Sequence, residues 1–265
     1  MNQVSPPMET AAEPAPEAAV EATTAQGEAL NLRGRLREML AGSPLPPDEL
    51  MFNLGLYVRS SLLVKFLVLH DVYRRIANVP GALVEFGVWR GQNLVLLENL
   101  RAIHEPFNKQ RTILGFDTFE GYPEEAGMAA RSIETHRGYD TGADYPAHLS
   151  ELLSAHEGMN AFGHIKGGHK LIKGDVCETA PAYFAEHPET LVAFAFFDMG
   201  PYEPTLAALK AIKPHLLPGS VLLFDELTWA GAPGEAIAFK EVFGDVRYTI
   251  EKCQFYPSKS LVTIA

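Results

Sequence analysis

Cysteine is almost missing from this 265-residue chain: only Cys177 and Cys253 occur. Two thiols make neither a disulfide framework nor a metal cluster, which fits a reducing compartment. Each reads as a small buried apolar residue. No apolar run reaches the length that crosses a bilayer, and the first 28 residues contain no Lys or Arg. Without a basic end and an apolar core, the N-terminus does not read as a secretory signal, so a cytoplasmic location is expected. Cations are scarce throughout: 22 Lys and Arg stand against 33 Asp and Glu, a formal net charge of −11. Such an acidic chain is not expected to take nucleic acid or an anionic membrane as its main partner.

Apolar residues are plentiful, at 47% of the sequence, enough for a large core in one α/β domain. They are unevenly spread. Residues 1–28 are mostly Ala, Glu, Pro and Thr, and they carry five of the acids, Glu9, Glu13, Glu17, Glu21 and Glu28. This stretch cannot bury enough surface to offset its ordering entropy, and a disordered tail is predicted. Residues 29–78 read as a helical extension. Leu30, Leu32, Leu36 and Leu40 recur at helical spacing, Pro46-Pro47-Asp48 breaks the chain and starts a short helix, and a long helix follows from about Val58 to Ala77. Its broad apolar face is Leu62, Leu63, Phe66, Leu69, Val72, Tyr73 and Ile76. These helices precede the first strand, where they pack on the sheet, cover a pocket or build a homo-oligomer contact.

Residues 79–265 alternate strand and helix. The predicted strands are Ala82–Phe86, Thr112–Asp117, Lys170–Lys173, Leu191–Phe197 and Ser220–Phe224, closed by Arg247–Glu251 and Leu261–Ile264. Pro218-Gly219 is read as the turn before the fifth strand. Helices are predicted at Pro181–Glu186, Glu203–Ile212 and Glu235–Val242, and Glu124 to Tyr145 is left as a long loop. The result is a doubly wound, Rossmann-like α/β fold: a mostly parallel seven-stranded sheet with a C-terminal antiparallel hairpin.

The stretch 81–93 is the centre of this arrangement. Its strand ends in Gly87, Gly91 follows, and a helix begins behind it, so glycines let backbone approach a ligand at a helix N-terminus. A dinucleotide site wants G-x-G-x-x-G, and Trp89 stands where the second glycine belongs. E-x-G-x-x-x-G suits S-adenosylmethionine instead, with Glu85 available to its cationic groups. Glu85, Asp117, Asp175, Asp198 and Asp225-Glu226 all fall at or just past predicted strand C-termini, which face one crevice. Asp198, Asp225 and Glu226 form an all-oxygen set that favours Mg²⁺ over zinc.

The motifs V-E-F-G-V-W-R-G (84–91), G-F-D-T-F-E-G-Y-P (115–123), K-G-D (173–175), D-M-G-P-Y-E-P-T (198–205) and L-F-D-E (223–226) together resemble the macrocin O-methyltransferase family over about residues 55–265. That resemblance implies a class I methyltransferase fold and transfer of a methyl group from S-adenosylmethionine, with Mg²⁺, to a sugar hydroxyl, notably on a macrolide. It places Glu85 and Gly87 in the cofactor site, with Trp89, Arg90, Gly91, Asn93, Thr118 and Val176 around it. Asp117 then faces the ribose and Asp175 the adenine. Asp198, Asp225 and Glu226 match the metal-binding acids, Asp198 also being counted as catalytic and as part of the cofactor site, and His136 matches the histidine base. Tyr122 and Trp229 are candidates for the acceptor wall or for core packing. The sequence departs from the family at Gln92, where a second Gly is usual, and at Gly200, where an acid is usual. A phenolic or other small-molecule hydroxyl is the alternative acceptor, and a catalytically degenerate methyltransferase-fold protein is the alternative to an enzyme.

Overall fold

The computed structural model describes residues 27–108, 110–122, 139–160 and 168–265. The tail up to residue 26 and His136 lie outside them.

Seven strands make one sheet in the order β3-β2-β1-β4-β5-β7-β6. They are β1 (Ala82–Phe86), β2 (Ile113–Asp117), β3 (Lys170–Lys173), β4 (Val192–Phe197), β5 (Leu216–Phe224), β6 (Tyr248–Lys252) and β7 (Ser260–Ile264). β1 to β5 pair in parallel, while β7 runs antiparallel to both β5 and β6. The chain reverses its direction of winding between β1 and β4, and the crevice at such a switch point is where open α/β sheets bind ligands.

Among the described residues eight α-helices surround the sheet: α1 (Glu28–Ala41), α2 (Pro47–Phe52), α3 (Ser60–Ile76), α4 (Gln92–His104), α5 (Tyr145–Asn160), α6 (Val176–Glu186), α7 (Tyr202–Ile212) and α8 (Gly234–Phe243). One layer packs α6, α7 and α8 on Val84, Phe86, Ala195, Phe197, Leu222 and Phe224. The other packs α3, α4 and α5 on Leu83, Ile113, Phe194, Phe196, Val221 and Leu223. Alternation along each strand thus supplies both cores, as a sheet covered on two faces requires. On the first face Phe116, Phe86, Phe197 and Phe224 form a row across four strands, with neighbouring ring centroids 5.0, 5.2 and 4.8 Å apart.

Three predictions shift on contact with the structure. β5 starts at Leu216, so Pro218-Gly219 lies inside the strand. A register irregularity at Val192/Phe194 lets Leu216 pair with Val192 before the regular ladder resumes at Val221. α5 was missed, because its buried stripe is only Leu149, Leu153 and the charged Glu157. In α3 the buried face begins at Val68, and Leu63 is 47% exposed. α1 and α2 bury no residue at all. The extension therefore divides: α3 belongs to the core layer, whereas α1 and α2 stand on its outside.

Gly115, in the middle of β2, has ordinary backbone, yet a Cβ there would lie 2.7 Å from Leu94 Cδ1 and 2.9 Å from Val88 Cγ2. Gly115→Ala is expected to overpack this contact and destabilise the protein by about 1–3 kcal/mol. Urea denaturation checks it; an unchanged midpoint would show that α4 moves away freely.

Candidate active site

A cavity of about 630 Å³ opens along the C-terminal ends of the parallel strands, a size typical of small-molecule sites. Its walls follow the strand order. Asp175, Val176 and Cys177 come after β3, Phe116, Asp117 and Thr118 from β2, and the segment 87–93 after β1. Asp198, Met199 and Gly200 follow β4, and Asp225 with Glu226 follow β5. Backbone hydrogen bonds continue the ladder one residue past the strands. Gly87 N donates to Phe116 O at 2.9 Å, Asp198 N to Phe86 O at 2.9 Å and Asp225 N to Phe197 O at 3.1 Å.

The glycine turn is held by Asp117. Its Oδ2 accepts from Val88 N at 2.7 Å and Trp89 N at 2.8 Å, and its Oδ1 accepts from Phe119 N at 2.6 Å. Trp89 has φ of 48°, a strained setting for a bulky residue, and the shared carboxylate supports it. Asp117 lines the cavity, but three amides draw on it before any ligand does. The glycines also serve the chain itself. A Cβ on Gly87 (φ +92°) would collide with Asp198 O, and one on Gly91 (φ +72°) with the Leu149 side chain. Close approach is needed here, as the motif implied, though the approaching groups are the chain's own backbone and core.

Asp175 caps α6, its Oδ1 accepting from Cys177 N at 2.8 Å. Arg90 stacks over the Tyr145 ring at 4.7 Å, and the Tyr145 hydroxyl donates to Arg90 O at 2.9 Å. Tyr122 lines the cavity and donates to Met199 O at 2.9 Å. Trp229 takes neither of its expected places: it is 51% exposed and outside the cavity wall.

Glu85 sits one residue behind the others. It is 1% exposed and is not part of the wall. Asn93 Nδ2, which does reach the cavity, donates to Glu85 Oε1 at 2.6 Å. Burial pushes the Glu85 carboxyl well above its ordinary range, with the Asn93 bond opposing this.

The acidic end is more crowded. Asp198 faces the cavity and is exposed to it; desolvation by the surrounding protein pushes its carboxyl up to about 7, Lys259 opposes the rise, and the neighbouring Asp225 adds to it. Asp225 Oδ1 accepts from Lys259 Nζ. Glu226 N donates to Glu235 Oε2 at 2.9 Å, and burial first of all raises Glu235 to about 8. Gly200 and Glu226 are linked, since a Cβ at Gly200 would lie 2.7 Å from Glu226 Oε2. The longer acid reaches the space that a side chain at 200 would need. Among the described residues no three His, Cys, Asp or Glu side chains converge as a ready metal cage.

Lys65, Lys259, Tyr139 and Glu203 were not anticipated. Lys65, Tyr139 and Glu203 line the cavity, and Lys259 reaches Asp225 from the β6–β7 hairpin. Lys65, Tyr139 and Lys259 stand in no motif, and their placement is a tertiary matter; Glu203 lies within D-M-G-P-Y-E-P-T (198–205), which could have pointed to it.

A cavity across the switch point, walled by acids and aromatic rings, lies where doubly wound α/β folds bind their ligands. The chain belongs to the macrocin-O-methyltransferase (TylF) family, whose pattern matches residues 66–246. It is similar to the crystal structure of CalS11, described as a calicheamicin methyltransferase, with 35% identity and a TM-score of 0.81 over 97% of this chain and 99% of that one. An apo structure of CalS11, titled as a TDP-rhamnose 3'-O-methyltransferase, gives 37% identity and 0.79 over 91% and 96%. A rhamnosyl-tetracenomycin-C 4'-O-methyltransferase from Streptomyces olivaceus is 27% identical over 56% of this chain and 54% of its own length. Mycinamicin III 3''-O-methyltransferase from Micromonospora griseorubida is 24% identical over 56% of each chain. The match thus spans about half the length of these two curated relatives. Among the described residues no helix is long and apolar enough to cross a membrane.

A buried acid with a raised pKa stabilises the fold at low pH and loses that contribution as pH rises. For Glu85 the loss begins above the ordinary value of 4.5. Glu85→Gln keeps an acceptor for Asn93, so its melting temperature relative to wild type is expected to climb as pH rises from about 4.5. Calorimetry across pH checks this, and a pH-independent difference would contradict it.

Proposed function

We propose that this chain transfers a methyl group from S-adenosylmethionine to a hydroxyl of a sugar, either nucleotide-linked or attached to a natural product. The observation that carries the reading is the run of acids in strand order along one cavity, Asp175, Asp117, Asp198 and Asp225-Glu226. The CalS11 likeness, which extends over nearly all of both chains, supports the sugar as acceptor.

Bound S-adenosylmethionine supplies an electrophilic methyl on a sulfonium. Asp175, Val176 and Thr118 are the proposed adenosine side, and Asp117 keeps lone pairs for a ribose hydroxyl beyond the amides it holds. Asn93, Gly87 and the Trp89-Arg90-Gly91 turn form the proposed methionine side, with Glu85 acting through Asn93. Asp198 lies at the next strand end, where the acceptor hydroxyl must meet the methyl in line. His136 is the proposed base, and Tyr122 shapes the acceptor side.

Asp198, Asp225 and Glu226 are the residues that would hold Mg²⁺. The donor chemistry fits: all three offer oxygen and all line the cavity, and the neighbouring Asp225 raises the Asp198 carboxyl, a repulsion that a divalent cation would relieve. Such an ion would act as a Lewis acid on the acceptor oxygen. Homo-oligomerisation through α1 and α2 belongs to the same proposal, because Phe52 and Met51 stand 90% and 71% exposed there.

The test is methyl transfer from labelled S-adenosylmethionine to TDP-rhamnose and to rhamnosylated natural products, read by mass spectrometry. Asp198→Asn is expected to lower turnover by about 10²-fold or more while leaving cofactor affinity nearly unchanged. Unimpaired turnover in that variant, or methylation of phenols in preference to sugars, would contradict the reading.

A further inference from the structure

Lys259 is 9% exposed, and sheet register delivers it. β7 pairs antiparallel with β5, Phe224 opposite Ser260, so the next residue on each side, Asp225 and Lys259, meet, with Asp225 lining the cavity and Lys259 behind it. Two hydrogen bonds fix its backbone: Cys253 N donates to Lys259 O at 2.9 Å, and Lys259 N to Tyr256 O at 2.9 Å. The ammonium bonds Asp225 Oδ1 and lies 4.9 Å from the Phe196 ring centroid and 5.2 Å from that of Tyr256. A buried lysine needs partners of this kind, and here they are a proposed metal ligand and two aromatic faces.

We propose that Lys259 is the resident counter-ion of the acidic end, and that a divalent cation binds Asp198 and Asp225 only by displacing it. This rests on the reading that those acids hold Mg²⁺. A cation within ligand distance of Asp225 lies against the largely buried ammonium of Lys259, and two like charges so close repel each other. The Tyr256 ring, already 5.2 Å from the ammonium, can keep hold of it once Asp225 is given up. The tip between β6 and β7 thereby sets metal affinity, and metal and lysine are alternatives at one position.

The experiment titrates the full-length protein with Mn²⁺, read by electron paramagnetic resonance of the free ion, for wild type, Lys259→Met and Lys259→Gln, with melting curves to confirm folding. Met keeps the length and the ring contacts while removing the charge. Both variants are expected to bind Mn²⁺ at least about tenfold tighter than wild type, since a like charge has gone. Asp225→Asn placed on Lys259→Met should abolish the gain. In wild type, saturating Mg²⁺ should shift the Lys259 side-chain resonance in a ¹³C spectrum, a readout independent of how the variants fold. Equal or weaker binding in folded variants, or an unmoved resonance with Mg²⁺ bound, overturns the displacement while leaving the metal site standing. Absence of binding in wild type and variants alike overturns the metal site and the displacement with it.

Discussion

The site depends on the parallel ladder running one residue beyond the strands. Phe116 O, Phe86 O and Phe197 O each accept from the first residue past the neighbouring strand. Gly87, Asp198 and Asp225 are therefore held abreast at fixed spacing. Beneath them the row Phe116, Phe86, Phe197 and Phe224 fills the space between sheet and helices. Such a row is rigid, because dense packing of large rings leaves no room for a strand to slide. Carboxylates attached to it keep their positions despite mutual repulsion.

That repulsion has several local answers. Asp117 is neutralised by three backbone amides, a distributed positive field at a turn. Asp175 is met by the N-terminus it caps. Burial raises the Glu85 carboxyl well above its ordinary range, with the Asn93 bond opposing this. Asp198 and Asp225 have Lys259. The strand ends thus present acids of different character, which suits the division proposed for them between a nucleoside and a cation. Position along the strand order separates these tasks across the cavity.

Most of the fold was legible because its strands are buried on both faces. Runs such as 192–197 are apolar without interruption, and few other structures accommodate them. Helix α5 was hidden because its buried stripe is short and includes Glu157, whose burial depends on Arg101 and His169 nearby. Asp117, Asp198 and Asp225 were legible because each ends an apolar run, and Asp175 because it follows a short strand and a glycine. Their individual states were not: whether Glu85 faces the cavity or stands behind Asn93 is decided by the helix that follows. Lys259 was invisible for a similar reason. In the sequence it is one lysine between two serines, and only the pairing of β7 with β5 brings it to Asp225. The departure at Gly200 becomes intelligible once Glu226 is seen to reach the same space.

The central claim is that the cofactor lies across the switch point, with adenine toward β3 and sulfur toward β4. A crystal structure with S-adenosylhomocysteine tests it most directly. The account requires the adenine beside Asp175 and Val176, the ribose near Asp117, and the sulfur between Asn93 and Asp198. A ligand bound in the reverse direction, or one seated outside the strand-end cavity, would contradict it.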